Sequence, residues 1–108
     1  MAVYTYTLTA GTTSLNQSLP FGSVSILLRC PSSNTADVYV NFYGTGANTQ
    51  STRIRAGESI ELSHENFLLF KAQLNQPINQ LDYVQGLSYY STAANQTLYI
   101  DVFVWSGV

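Results

Sequence analysis

The sequence predicts an all-β fold: an antiparallel two-sheet sandwich of the jelly-roll type with about eight short strands. Apolar and polar residues alternate with a period of two, which is the pattern of half-buried strands. Clusters of Gly, Pro, Asn and Ser separate the alternating stretches, as they do in sandwiches and jelly rolls. The chain has 108 residues, of which 45% are hydrophobic. We therefore expect a single domain over residues 1–108 with a modest core of its own.

Three strands are predicted in the N-terminal part of the chain. The first covers Val3–Thr9, and residues 10–18 read as a polar connection. The second strand has an apolar face formed by Val24, Ile26, Leu28 and Cys30. Its opposite face carries Ser23, Ser25 and Arg29. The third covers Asp37–Tyr43, with three inward residues, Val38, Val40 and Phe42.

Two further short strands, Thr52–Arg55 and Ser59–Leu62, are predicted on either side of a tight turn. Gly57 suits that turn because glycine accepts a positive φ without steric cost. If the two strands form a hairpin, the outward side chains of Arg53 and Arg55 are able to pair with Glu61 across it. An exposed pair of this kind contributes only about 0–1 kcal/mol.

The C-terminal half contains the strongest strand pattern. Residues 63–66 read as a turn, 67–74 as a strand, 81–84 as a weaker strand, and 85–95 as a long loop carrying Tyr89 and Tyr90. The last strand, Thr97–Trp105, has aliphatic side chains on one face: Leu98, Ile100, Val102 and Val104. Such a continuous apolar face predicts a central position in its sheet.

Charge is scarce. Only 9% of the residues are charged, the net charge is −2, and there are four Lys and Arg in all. Nucleic-acid binding needs a basic patch that releases counterions from phosphates, so we expect no nucleic-acid partner. The longest apolar runs are about four residues, against roughly twenty for a membrane helix. The N-terminus also lacks the pattern of a signal peptide. We therefore expect no membrane association, and either synthesis in a cytoplasm or a leader that has already been removed.

The residue types used in catalysis are few and dispersed. Cys30 is the only cysteine and His64 the only histidine. Cys30 falls in an apolar alternation, which predicts a buried, inert thiol, and His64 falls in a turn. The carboxylates are spread along the chain: Asp37, Glu58, Glu61, Glu65, Asp82 and Asp101. We predict no catalytic residue, no cofactor site and no metal site, and hence not an enzyme.

The aromatic residues are more informative, with eight Tyr, five Phe and one Trp. Five of them fall opposite the main apolar rows of their strands: Tyr39, Tyr43, Tyr99, Phe103 and Trp105. Three explanations are open. These side chains face a second layer of the same domain, or they form a subunit interface, where aromatic residues are enriched, or they stack on sugar rings. They are our candidate interface or ligand residues.

A family resemblance covers roughly residues 24–74. The strand Asp37–Phe42, a polar loop, and then Arg53–Leu62 with its hydrophobic–x–x–Gly–Glu–Ser–hydrophobic turn resemble a pattern in small virion proteins of tailed phages. The resemblance implies a β-sandwich or jelly roll that decorates a capsid or forms part of a tail or fibre, often as a trimer. It transfers no catalytic or binding residue.

Two functions follow as hypotheses. The first is a virion structural protein of a bacteriophage, such as a capsid decoration protein, that forms a homo-oligomer (a trimer by the resemblance) and contacts other virion proteins. The second is a carbohydrate-binding module or lectin, which would bind a glycan through exposed aromatic rings and the Asn- and Gln-rich loops 44–50, 75–80 and 85–95.

Overall fold

The computed structural model describes residues 2–20, 22–42, 46–66, 84 and 86–104. Their strands, in chain order, are β1 (Ala2–Ala10), β2 (Leu15–Ser18), β3 (Ser23–Arg29), β4 (Val38–Asn41), β5 (Thr52–Ile54), β6 (Ser59–Ser63), β7 (Gly86–Ser91) and β8 (Gln96–Val104). Sheet A has the order β1-β8-β3-β6, and sheet B has the order β2-β7-β4-β5. The described strand pairs are antiparallel. The predicted all-β two-sheet sandwich of eight strands is therefore confirmed.

Strand β8 is the centre of sheet A, as its apolar face predicts. It pairs with β1 on one side and with β3 on the other. Its inward residues Leu98, Ile100 and Val102 are completely buried. Burying each such aliphatic side chain contributes about 1.5–3 kcal/mol, so this strand anchors the core.

Sheet B supplies the opposite wall of the core. Val38 and Val40 of β4 and Ile54 of β5 are buried, together with Leu87 and Tyr89 of β7. The predicted inward face of the third strand is thus confirmed at Val38 and Val40, while Phe42 lies just beyond β4, half-buried against the core.

Two strands lie where loops were predicted. The polar connection of residues 10–18 contains β2, and the long loop of residues 85–95 contains β7, whose Tyr89 is buried. Strand β2 has no apolar alternation because it is a short edge strand, held by its pairing with β7. In β7 the consecutive residues Leu87, Ser88 and Tyr89 are all buried, which hides the period of two.

The predicted hairpin around Gly57 is wrong. Strand β5 belongs to sheet B and β6 to sheet A, so this segment crosses from one sheet to the other. Gly57 does have a positive φ of 79°, but its N–H donates to the Cys30 carbonyl oxygen at 2.9 Å. The crossing turn therefore packs on the end of β3, and no Arg–Glu pairs form across a hairpin.

A β-bulge corrects the predicted face of Val24. The register of β3 against β8 shifts between Ser23 and Ser25, which leaves Val24 as an extra residue. Ser23 is buried instead, and its hydroxyl donates to the Pro20 carbonyl oxygen at 2.8 Å. The rest of the predicted row, Ile26, Leu28 and Cys30, is buried as expected.

Residues 63–66, predicted as a turn, are divided between the end of a strand and a short helical segment. Ser63 ends β6, residues 64–66 are helical, and the Ser63 hydroxyl oxygen accepts the Asn66 N–H at 3.2 Å in the manner of an N-cap. The strand predicted over 67–74 lies outside the described residues. So does the strand predicted over 81–84, except Val84, which is buried.

A buried polar clamp holds the β3–β4 connection against the start of β8. Gln96 is only 3% exposed, and its Oε1 accepts the N–H groups of Thr35 and Ala36 at 2.8 and 3.0 Å. The Asn34 side chain bonds both the N–H and the carbonyl oxygen of Thr97. Because the β3–β4 connection passes from sheet A to sheet B, this clamp fixes where it crosses.

Replacing the clamp residue tests this role. Gln96→Leu keeps the side-chain bulk but leaves two backbone N–H groups without their acceptor, and each such loss costs about 1–3 kcal/mol when buried. We expect the free energy of unfolding in urea to fall by at least about 2 kcal/mol. Gln50→Leu, at an exposed loop position, is the matched control and should change stability little. Equal stability of the two variants would contradict the clamp.

Candidate functional site: the outer faces of the sandwich

The outer face of sheet A is a surface whose residues are set by strand register. On β8 the outward residues Tyr99, Asp101 and Phe103 alternate with the buried row. Register places one β1 residue and one β3 residue beside each, in the rows Thr7–Tyr99–Arg29, Thr5–Asp101–Leu27 and Val3–Phe103–Ser25. The sheet therefore brings together residues from both ends of the chain.

An apolar region occupies one side of this face. We call it the outer apolar patch and define it as Val3, Val24, Leu27 and Phe103. The last three line one shallow depression, with Ser25 and Glu61 at its rim. Val3, opposite Phe103 in register, is 52% exposed, and it is the most exposed large hydrophobic residue described. The bulge in β3 contributes to the patch because it adds Val24 to the outer side.

Polar groups border the outer apolar patch and largely pair with one another. The Arg29 guanidinium lies 5.1 Å from the centre of the Tyr99 ring, within range of a cation–π contact. Its Nε is 3.9 Å from Oδ2 of Asp101. The Ser25 hydroxyl donates to Oε1 of Glu61 at 3.0 Å. An apolar centre with a polar rim is typical of protein interaction sites.

The outer face of sheet B carries a different set. Tyr39 of β4 opposes Tyr90 of β7, and their ring centres are 6.3 Å apart with a tilt of 42°. Beside them, Nε of Arg53 lies 3.7 Å from Oδ2 of Asp37. Near the end of β4 a shallow groove is lined mainly by polar side chains, together with Val40 and Phe42: Asn41, Asn48, Gln50, Ser51 and Thr52.

The structure separates the candidate aromatics that it describes. Tyr39 lies on the outer face of sheet B, whereas Tyr99 and Phe103 lie on the outer face of sheet A. All three are half-buried and point away from the opposing sheet, so the second layer of the domain does not cover them. Tyr43 and Trp105 lie outside the described residues. Sequence reasoning missed Tyr90, because its strand was read as a loop.

The reactive residue types do not converge in the described part of the chain. No group of three or more His, Cys, Asp or Glu residues there could hold a metal ion. Cys30 is 4% exposed, and burial raises the pKa of its thiol to about 11, although its hydrogen bond with Asn34 acts in the opposite direction. Among the described residues, no helix is long and apolar enough to cross a membrane.

In the part of the chain that the structure describes, the candidate sites are two outer faces, an apolar one on sheet A and one on sheet B that carries two tyrosines. The chain matches no protein-family model, no curated protein and no solved structure. The function must therefore be inferred from what these two faces can bind. The face of sheet A offers apolar area with a paired polar border, and the face of sheet B offers two tilted rings near amide and hydroxyl groups.

The buried thiol gives a direct check of the core on the β3 side. Because its pKa is about 11 rather than the ordinary 9.0, the thiolate fraction at pH 8 is lower by roughly a hundredfold. We expect alkylation of Cys30 by iodoacetamide at pH 8 to be at least about a hundredfold slower in the native protein than in denaturant. Similar rates in the two conditions would contradict the burial of Cys30.

Proposed function

We propose that this protein is a non-enzymatic structural component of a virion, which self-associates and contacts another virion protein through the outer face of sheet A. The observation that carries the proposal is the outer apolar patch, which lies on a surface with little charge. Covering a face of this kind is favourable, by about 25 cal/mol for each Å² of apolar surface that is removed from water. The neighbouring Tyr99 and Arg29 are residue types enriched in interfaces.

The small number of charged residues supports assembly over other roles. With 9% charged residues, the surface has few groups that must be desolvated or matched when it packs against a protein. Arg29 and Asp101 already face each other on the outer side of sheet A, so they present little net charge to a partner. The same scarcity of charge disfavours binding to a polyanion.

The virion setting is supported by the sequence pattern. Residues 24–74 resemble small proteins of tailed phages that decorate capsids or form parts of tails and fibres, often as trimers. In the structure the pattern spans β4, β5 and β6, including the Gly57 turn. By this resemblance the proposed role is capsid decoration or a head- or tail-associated position, with a trimer as the expected self-assembly.

Removing the centre of the outer apolar patch tests the proposal. In Phe103→Ser the patch loses its largest side chain. Because Phe103 is already partly buried in the single chain, covering the rest of its surface at a contact is worth about 1 kcal/mol. We expect self-association to weaken by roughly fivefold. Multi-angle light scattering over a range of concentrations would then give a lower average mass for Phe103→Ser than for the wild-type protein at each concentration.

Two controls make this result specific. Phe103→Leu keeps an apolar side chain at the same position and should retain most of the association. Tyr39→Ser removes an aromatic ring from the opposite outer face and should leave the mass unchanged. Thermal unfolding of each variant confirms that the sandwich is intact. A wild-type average mass equal to the single chain, 11.9 kDa, at every concentration would refute self-association.

A carbohydrate-binding module is the second candidate, and the Tyr39–Tyr90 pair favours it. Tyrosine rings present a flat apolar surface with a polar end, and the nearby groove offers amide and hydroxyl groups that suit sugar hydroxyls. If this function holds, a glycan array gives signals that Tyr90→Ala abolishes and Phe103→Ser retains. An array without signals would remove this candidate.

A further inference from the structure

The four edge strands of the two described sheets, β1, β6, β2 and β5, differ in how they are protected against pairing with another chain. Strand β5 has three residues and includes Arg53, while β6 has five and includes Glu61. Strand β2 has only four residues. Shortness and charge are the usual devices that keep a sheet edge from adding a foreign strand. Each of these three edges therefore carries at least one of them.

Strand β1 carries neither device. It has nine residues, Ala2–Ala10, and contains no charged residue and no proline. Among the described strands it pairs with β8 on one side and with none on the other. Its register with β8 runs without a shift along its whole length, so no bulge turns the edge away. Val3 and Tyr4 are about half exposed, at 52% and 46%.

We propose that the β1 edge is the site where a second copy of this chain adds, by antiparallel β1–β1 pairing about a two-fold axis. The contact would join sheet A of one copy to sheet A of the other in a continuous eight-stranded sheet. The inference rests on the proposed function in one respect, namely that the chain self-associates. Beyond self-association, the inference specifies that the contact uses the β1 edge and that the two β1 strands pair in antiparallel orientation.

The register of this pairing follows from the faces of the strand. Residues that oppose each other directly in an antiparallel pair point to the same face, so an axis centred on a residue keeps like faces together. An axis at Tyr6 lets all nine residues of β1 overlap, over about 30 Å at roughly 3.3 Å per residue. Opposed residues across the contact are then Tyr6 with Tyr6, Tyr4 with Leu8, and Thr5 with Thr7.

These pairs are chemically compatible. Tyr4 lies on the same side of β1 as the buried Leu8 but is itself 46% exposed, and in the pairing it gains an aliphatic neighbour from the other copy. On the outer side, threonine opposes threonine, and such cross-strand pairs are favourable. No charges are brought together, so the pairing carries no repulsion and no desolvation cost for an ion.

A second copy is a better occupant than a strand of another kind because the pairing is self-complementary. A two-fold contact uses the same edge in both chains, so it requires only one edge open to pairing, and among the described strands β1 is the edge strand that carries neither device. A head-to-tail contact within sheet A would instead have to use β6, which is short and bears Glu61. If contacts through the outer apolar patch join copies of the chain into a ring, β1–β1 pairing would join the copies of that ring to a second set in pairs and so double the number of chains in the assembly.

Charge exchange on the outer side of β1 tests the inference. In the proposed register position 5 of one copy opposes position 7 of the other, so Thr5→Lys/Thr7→Lys places like charges together twice, and Thr5→Glu/Thr7→Glu does the same. We expect each double variant alone to associate at least tenfold more weakly than the wild-type protein in light scattering. An equal mixture of the two should recover the wild-type association, because lysine then opposes glutamate.

The controls separate edge pairing from general charge effects. Thr12→Lys/Thr13→Lys and Thr12→Glu/Thr13→Glu add the same charges at exposed positions just after β1 and should keep wild-type association. If the β1 variants keep the wild-type mass, edge pairing is refuted, while a loss of mass in Phe103→Ser would still support the proposed function. Variants that dissociate but do not recover on mixing would refute the antiparallel register and point to a different occupant of the edge.

Discussion

The pairing of β8 between β1 and β3 is the constraint on which the rest of the structure depends. Its inward residues Leu98, Ile100 and Val102 are completely buried and form the centre of the core. Because side chains alternate across a strand, the same pairing fixes Tyr99 and Phe103 on the outside. It also leaves β1 at the edge of sheet A. The core, the outer apolar patch and the edge position of β1 among the described strands are thus three consequences of one strand position.

Much of the fold could be predicted from sequence because local alternation encodes burial. The faces of β4 and β8 and the central place of β8 follow directly from the period of two. The same logic fails where burial is not alternating. Strand β7 buries three consecutive residues, β2 is an exposed edge strand, and a bulge beside Ser23 reverses the face of Val24. A bulge is a property of the pairing, and a single strand sequence does not reveal it.

The candidate site could be predicted only in part, since long-range topology decides which outward residues become neighbours. The sequence predicts that Tyr39 and Phe103 both lie opposite the apolar rows of their strands, but it does not predict that β4 and β8 belong to different sheets, which places the two rings on different outer faces. The Gly57 turn also illustrates this, because its positive φ is a local property whereas its crossing between the sheets is not. The outer apolar patch needs Val3 from β1 and Val24 from the bulge, and neither stands out in the sequence.

Hydrogen exchange at low and high protein concentration tests most directly whether sheet A is the assembly surface. Exchange of backbone amides slows where a contact covers them or adds hydrogen bonds. If the account is correct, peptides from β1 and β8 become protected as concentration rises, and peptides from β4 and β5 of sheet B do not change. Exchange that is independent of concentration throughout, or protection confined to sheet B, would contradict it.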